Sequence, residues 1–501
     1  MAQRKRTASR DTRPHRPGRR LRLAAATTTV ALTGGLLVSA VPTVAAAPRA
    51  ALPAHDADFD GDGYADVAAA APYTYVNGKE AAGAVVVAYG KASGVDRSVK
   101  YTQNSPGVPG SAERRDAFGT DLAYGDFDDD GYDDLVVGVS GEDVGRDKDG
   151  GSVQILWGSA NGLRGGTALK DPRPAKHDYF GAFLEAGDFN GDGKDDIALG
   201  TTVAVVDIYR GGFTRGGRTG GHYTVTPRIH GNGEDGVQNL HSGDANGDGK
   251  DDLIVNGYEN DTRRGYNANW WLPGSRSGLK VSAAQKLPAG VITDLGDTDK
   301  DGYDDVVIGN HWDSGITGAA KGGAVHVVRG GARGPANGDR DKITQNTSGV
   351  PGSGEKGDGF GNELDLGDVN GDGNLDLIVG APGETVDGIE DAGAVTVLYG
   401  RANGSGISGR GAKLLTQNTP GVPNTDEKHD FLGTDVHADD LNGDGRADVV
   451  LGAHGENGGN GAVYPLLSTA GGSFKGTSGI YPGTAGLPAT GNPRLGSNFA
   501  D

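Results

Sequence analysis

The chain has 501 residues, 91 of them glycine, no cysteine, and a formal net charge of −20. Absent thiols exclude disulfides, thiolate metal sites and a lipidated N-terminal cysteine; the acidic balance disfavours nucleic acid and anionic lipid as partners and attracts divalent cations. The length allows a large core, and glycines recurring at fixed offsets between apolar runs read as turn residues, not as a disordered composition.

Residues 1–47 read as an export signal. Nine basic residues between Arg4 and Arg22 precede an apolar run from Leu23 to about Val41, and "TVAAAPRA" offers small residues for cleavage after Ala47. The run is too short and weakly apolar for a stable membrane span, and Arg19-Arg20 fits a twin-arginine subtype loosely. Without this segment, 47 basic residues less nine leave 38 and 67 acidic less one leave 66, a balance of −28. The mature chain, 48–501, is expected to act outside the cell.

The first element after the signal is an acidic loop, "DFDGDGYADVA" at Asp58. It returns at Asp126, Asp188, Asp244, Asp297, Asp368 and Asp440, seven copies at intervals of 53 to 72 residues. Such a period signals an array of supersecondary units. Ahead of most loops stands an alternating segment such as "FGTDLAYG" (Phe118) or "FGNELDLG" (Phe360). Behind each comes a short β-branched run, for instance Leu135–Val137 or Leu377–Val379, of the kind buried on both faces. A third strand follows in "GAVVVAYG" (Gly83), "GSVQILWG" (Gly151), "GAVHVVRG" (Gly323) and "GAVTVLYG" (Gly393). A weaker fourth precedes "TQNSPGVPG" (Thr102), which recurs at Thr344 and Thr416. Sustained helical periodicity is absent from the mature chain. Four antiparallel strands in each of seven units predict an all-β, seven-bladed propeller, in preference to a row of larger sandwiches. The loop at Asp58 lacks a preceding Phe-Gly strand, whereas "LGSNFAD" (Leu495–Asp501) has the spacing of "FGTDLAY". The C-terminal strand, 494–501, is therefore expected to complete the blade begun at the N-terminus and close the ring.

Numbered 1 to 9, each loop repeats its oxygen donors. Position 1 is Asp58, Asp126, Asp188, Asp244, Asp297, Asp368 and Asp440. Position 5 is Asp62, Asp130, Asp192, Asp248, Asp301, Asp372 and Asp444, and position 9 is Asp66, Asp134, Asp196, Asp252, Asp305, Asp376 and Asp448. Position 3 is Asp60, Asp128 and Asp299 in three loops, Asn190, Asn246, Asn370 and Asn442 in four; position 6 is always Gly. Position 7, offering its backbone carbonyl, is Tyr64, Tyr132, Lys194, Lys250, Tyr303, Asn374 or Arg446. Six to eight oxygens at about 2.3–2.6 Å suit calcium, and oxygen-only donors disfavour zinc and copper. A single such loop could be Asp/Gly-rich for conformational reasons alone. Seven copies weaken that reading, because clustered acids repel without a counterion. An EF-hand is excluded: its twelfth position is Ala69, Val137, Leu199, Val255, Ile308, Val379 or Leu451. Up to seven structural calcium ions are expected, each contributing roughly 1.4 kcal/mol at tenfold excess over its dissociation constant.

Taken together, "FGNELDLGDVNGDGNLDLIVGAP" (Phe360–Pro382) and its copies resemble the FG-GAP repeats of the integrin alpha propeller, found also in bacterial secreted proteins. The resemblance spans nearly all of the mature chain. It implies seven blades, calcium in the hairpin between the first two strands of a blade, and the segment before each loop nearest the axis. It departs from integrins in having the ligand set in all seven loops, in lacking Phe-Gly at "GVQNLHSGD" and "GVITDLGD", and in encoding no leg domains. The propeller of glycosylphosphatidylinositol-specific phospholipase D is similar, but no counterpart of its hydrolase domain is present.

The histidines are scattered from His55 to His454, without HExxH, GxSxG or a P-loop. "LPATG" (Leu487) lacks the tail of a sorting signal, and Asn260, Asn346 and Asn403 stand in glycosylation sequons. The expected function is a secreted monomeric binding, adhesion or scaffold module with an extracellular protein or glycan ligand. The "TQN" loops, Trp270, Trp271 and Trp312 are candidate contact features, the alternative being that the tryptophans pack between blades. The second reading is a hydrolase or lyase acting on glycan or glycolipid in the central channel.

Overall fold

The runs after the acidic loops form the second strands of seven sheets in the computed structural model, which describes residues 56–231, 236–259, 266–338, 340–401 and 404–500. The export segment, His55, the sequon residues Asn260 and Asn403, and Asp501 lie outside these ranges. Val67–Ala71, Asp134–Val139, Asp196–Gly200, Asp305–Asn310, Asp376–Ala381 and Asp448–Ala453 are buried at every residue. They are sandwiched between adjacent blades, so neither face needs polar side chains. In blade 2, Asp134–Val139 pairs antiparallel with Phe118–Gly125 on one side and Ser152–Trp157 on the other. Arg164–Leu169 forms the outer edge. Six sheets repeat this four-strand order and one has three regular strands. Helix among the described residues is confined to Val281–Ala283 and Glu456–Gly459, and no helix is long and apolar enough to cross a membrane.

The three-stranded sheet is blade 1, and the C-terminal segment completes it. Phe499 bridges Ala69, Ala70 N donates to Asn498 O (2.8 Å), and Ala500 N donates to Ala68 O (3.1 Å). The pairing is interrupted, not a regular ladder, and the reason lies in the motif itself. Leu495 forms a parallel bridge to Gly461, as Phe118 does to Gly83, Phe180 to Gly151, Phe360 to Gly323 and Leu432 to Gly393. The glycine after each of these residues has positive φ (Gly496 79°, Gly119 86°), which lifts one turn of chain out of register before pairing resumes. The expected strand therefore begins as a bulge. Carboxylates then fix it on both sides: Phe499 N donates to Asp435 Oδ2 of blade 7 (2.8 Å), and Asn498 Nδ2 donates to Asp121 Oδ1 of blade 2 (3.2 Å). The ring is closed.

The same motif sets the spacing between blades. A Cβ on Gly380, in the second strand of blade 6, would lie 2.2 Å from Gly433 O in the inner strand of blade 7. Gly138, Gly309 and Gly452 stand equally close to Gly181, Gly361 and Gly496. Blades 4 and 5 lack Phe-Gly and are joined to the blade before by ordinary hydrogen bonds, Val237 N to Thr201 O of blade 3 (3.3 Å) and Asn256 Nδ2 of blade 4 to Gly290 O of blade 5 (2.8 Å).

Trp270 and Trp271 are core residues, 6% and 4% exposed, which removes them as contact features. Trp271 lies over Gly334 and its Nε1 donates to Asp252 Oδ2 (2.8 Å), so the pair packs between blades. Trp312 is half-buried.

Two substitutions test this geometry by urea unfolding. Phe499→Ala should cost about 3–5 kcal/mol, the usual loss for a buried aromatic ring. Gly380→Ala should cost about 1–3 kcal/mol or more, because the obstructing atom is backbone oxygen and cannot rotate away.

Candidate functional site: the acidic hairpin loops and the central channel

In blades 2 to 7 the acidic loop is the hairpin between the inner and second strands, in blade 1 it leads into the second strand, and in all seven its first aspartate organises the turn. Asp188 Oδ1 accepts from Gly191 N (2.8 Å) and Asp192 N (3.0 Å), and its Oδ2 from Gly193 N (2.7 Å). Asp58 and Asp368 accept the same three amides; Asp126, Asp244, Asp297 and Asp440 accept from the fifth and sixth residues. Position 5 accepts from the amide of position 7 in four loops, as Asp62 does from Tyr64 (3.1 Å) and Asp372 from Asn374 (2.9 Å). Such local side-chain bonds are the ordinary chemistry of Asx turns.

Position 9 is buried and acts differently. In every loop one oxygen accepts the amide at the end of the third strand. The pairs are Asp66–Gly90, Asp134–Gly158, Asp196–Gly211, Asp252–Gly274, Asp305–Gly330, Asp376–Gly400 and Asp448–Ser468, at 2.7 to 2.9 Å. Burial pushes these carboxyls up: Asp66 and Asp134 to about 8, Asp252, Asp376 and Asp448 to about 7, Asp196 and Asp305 to about 6.

Position 3 divides the loops into two kinds. In the four asparagine loops the amide nitrogen donates to position 9: Asn190 to Asp196 (3.2 Å), Asn246 to Asp252 (2.8 Å), Asn370 to Asp376 (3.0 Å) and Asn442 to Asp448 (2.7 Å). The residue pattern predicts an amide oxygen directed at a bound ion. Here the neighbouring buried carboxylate attracts the N–H side instead. In the three all-aspartate loops carboxylates crowd together: Asp58, Asp60 and Asp62; Asp126, Asp128 and Asp134; Asp297, Asp299 and Asp301 each bring oxygens within 4.8 Å of one another. One oxygen of each third-position aspartate meets an arginine: Arg97 at Asp60 (3.1 Å), Arg215 at Asp128 (2.8 Å) and Arg329 at Asp299 (3.4 Å). The other oxygen, Oδ1 of Asp60, Asp128 and Asp299, is buried and has no hydrogen-bond donor. A buried acceptor without a partner costs several kcal/mol in an apolar setting. These three loops could therefore hold a hard cation, with carboxylates from positions 1, 3, 5 or 9 around it.

Sequence reasoning missed the arginines, which come from 37 and 87 residues away in the first two loops and carry no local signal. It also missed position 8. Asp133, Asp251 and Asp304 accept the backbone amide of position 1 in the preceding loop, at Asp58 (2.7 Å), Asp188 (2.6 Å) and Asp244 (2.8 Å). The signal was the doubled Asp at the end of those loops. Position 7 has a second role too: Tyr132, Lys250, Tyr303, Arg446 and Tyr64 lay their side chains over the fourth-position glycine of the preceding loop, and Lys194 pairs with Asp129 there.

Inside this belt lies a cavity of about 910 Å³ whose wall includes Glu185, Asp195, Asp251, Asp304, Asp365 and Asp439 with His241 and His437. Inner-strand acids in and beside it hold blades together: Asp365 Oδ2 accepts Ala438 N (2.8 Å) and Glu185 Oε1 accepts the Ser242 hydroxyl (2.7 Å) in its wall, and Asp121 Oδ2, in the smaller neighbouring cavity, accepts Leu184 N (2.7 Å). His437 lies between Asp439 (2.8 Å) and Asp365 (3.4 Å).

A family profile described as FG-GAP repeat matches residues 56–87, 118–156, 180–218, 360–398 and 432–464. The chain is 29% identical to integrin alpha-5 of Xenopus laevis over 272 residues, covering 53% of this chain and 20% of the relative. It is 31% identical to phosphatidylinositol-glycan-specific phospholipase D of Mus musculus over 150 residues, 30% of this chain and 18% of the relative. It thus spans about a fifth of the length of these relatives. Among solved structures, an exotype rhamnogalacturonan lyase, YesX, aligns over 84% of this chain and 72% of that one, at 14% identity and a TM-score of 0.38, too distant to bear on chemistry. The unmatched stretch between residues 218 and 360 contains blades 4 and 5, whose inner strands lack Phe-Gly. The five matched repeats, together with the seven sheets closed in a ring, identify the chain as an FG-GAP β-propeller similar to the integrin alpha propeller.

Proposed function

We propose that the protein is a secreted, calcium-stabilised binding or adhesion-type scaffold that performs no chemistry of its own, with an extracellular protein or glycan as ligand. The reading is carried by the third-position aspartates Asp60, Asp128 and Asp299, each with one oxygen on an arginine and the other buried without a donor. Calcium fits that donor set, since it accepts clustered carboxylate and carbonyl oxygens in flexible geometry. The four asparagine loops accept an ion once the amide turns its oxygen inward, a half-turn that leaves the shape of the side chain unchanged. The channel acids support the same reading, because they are engaged with backbone amides of the next blade. Integrin alpha proteins are extracellular, and an export signal at 1–47 is consistent with that site of action.

The second reading places a hydrolase or lyase acting on glycan or glycolipid in the channel. Two observations favour it: the wall is acidic, not neutral, and His437 lies between two carboxylates. Part of the chain is also similar to a phospholipase D. A glycan and cell-wall binding screen, run with calcium and with chelator and followed for product, separates the two. Calcium-dependent retention without turnover supports the scaffold, and turnover abolished by His437→Ala supports the enzyme.

Calcium at tenfold excess should add about 1.4 kcal/mol per loop, so about 4 kcal/mol for the three all-aspartate loops. Thermal melts in calcium and in EDTA read this directly, and Asp128→Ala should remove about a third of the increment. Melts indifferent to EDTA would overturn the calcium assignment.

The pH dependence follows from the ninth-position carboxyls. Their unfolded values lie near 4, and burial raises Asp66 and Asp134 to about 8 in the folded chain. Between those limits the native state binds more protons, so in EDTA stability should fall as pH rises from 5 to 8. Saturating calcium keeps these carboxylates ionised and should flatten the slope. Denaturation midpoints across that range check it.

A further inference from the structure

The end of the propeller opposite the acidic hairpins carries the repeated Thr-Gln-Asn segment. Gln103, Gln345 and Gln417 are 2%, 3% and 1% exposed. Each donates Nε2 to a glutamate 39 residues further on: Glu142 (2.6 Å), Glu384 (2.6 Å) and Glu456 (2.5 Å). In all three the amide oxygen Oε1 is buried and has no donor. Beside each glutamate stands an aspartate that accepts a backbone amide, Asp116 from Glu113, Asp358 from Glu355 (2.6 Å) and Asp430 from Glu427 (2.9 Å).

The copies differ in what surrounds the glutamate. In blade 7, Glu456 receives four neutral donors: Gln417, the Tyr464 hydroxyl (2.9 Å), Asn424 Nδ2 (2.9 Å) and Asn457 Nδ2 (2.8 Å). The corresponding residues of blade 6 are Gly352, Thr385 and Thr396, which carry neither amide nor phenol. Carboxylates gather there instead, with oxygens of Glu355, Asp358 and Glu384 within 4.8 Å of one another. The Gln345 Oε1 and the Glu355 carbonyl oxygen both stand beside Gly322, where a Cβ would lie 2.9 Å from each. The amide itself cannot resolve the conflict. As it stands Oε1 has no donor, and turned over it would meet Glu384 Oε2 as a second acceptor at the same 2.6 Å.

We propose that Glu355, Asp358 and Glu384, with the Gln345 amide oxygen, hold one hard divalent cation at the junction of blades 5 and 6. Three carboxylates and an amide oxygen are a donor set for calcium or magnesium and not for a soft metal. The site is separate from the hairpin loops and stands or falls independently of calcium there. It braces the loop that carries the chain from the outer strand of blade 5 to the inner strand of blade 6. Blade 7 achieves the same bracing with neutral side chains.

Equilibrium dialysis of the full chain, against calcium alone and magnesium alone, counts bound ions per molecule. Glu384→Gln and Glu355→Gln should each bind one ion fewer than the unsubstituted chain with at least one of the two metals. Glu456→Gln, at the neutral-donor copy, should lose none. If Glu384→Gln fails to fold, Glu355→Gln, at an exposed position, gives the same count. Should the hairpin loops bind nothing, totals fall throughout but the difference of one remains. Equal counts in the unsubstituted chain and Glu355→Gln with both metals would overturn the proposal.

Discussion

The structure depends on a buried carboxylate at the start of each second strand. The ninth-position aspartate accepts the amide that ends the third strand, and in several blades also the amide of its own loop's second residue, as Asp66 does from Phe59 (2.9 Å). One side chain thereby ties the hairpin to the strand beyond it and sets the register of three strands. Its position is apolar, so its charge is costly, and burial shifts every one of the seven towards the protonated form. The acidic loop wraps around that charge, and the loop's other groups are arranged to manage it.

Management takes two forms within one chain. Asparagine at position 3 turns an N–H towards the ninth carboxylate, a neutral solution contained in the loop. Aspartate at position 3 adds a further charge, and arginine from elsewhere offsets part of it. Arg329 is the clearest case, reaching Asp299 (3.4 Å) and Asp305 (2.9 Å) from the end of its own third strand. The opposite end of the propeller repeats the alternative, with neutral donors around Glu456 and crowded acids around Glu384. Repeats of one backbone thus solve the same electrostatic problem differently.

The loops also form a continuous belt. Position 8 of one loop bonds to position 1 of the preceding one, and position 7 covers its fourth residue. At the seam Ala65 N donates to Asp440 O (3.1 Å) and Tyr64 lies over Gly443. That junction, together with the bridge between Phe499 and Ala69, joins the two ends of the described chain. Ring closure therefore rests on hydrogen bonds at the loop end and along the inner strands.

Much of this was legible from residue spacing. The seven loops, the strand order and the closing role of Leu495 and Phe499 follow from local pattern, because strand alternation and turn chemistry act between residues close in sequence. Trp270 and Trp271 carry no such information: a large aromatic ring suits a binding face and a blade interface equally, and only packing decides, Trp271 over Gly334 and Trp270 against Val206 and Ile208 of blade 3. The arginines at the aspartate loops were likewise invisible, since Arg215 meets Asp128 across 87 residues and a blade boundary. The direction of the asparagine amides depends on a neighbouring carboxyl group whose burial exists only once the blade is packed. Local pattern specifies what repeats, in what order, and which residues bear oxygen. Tertiary structure alone decided which oxygens are left without donors, because burial and partners from distant strands settle whether a charge is satisfied.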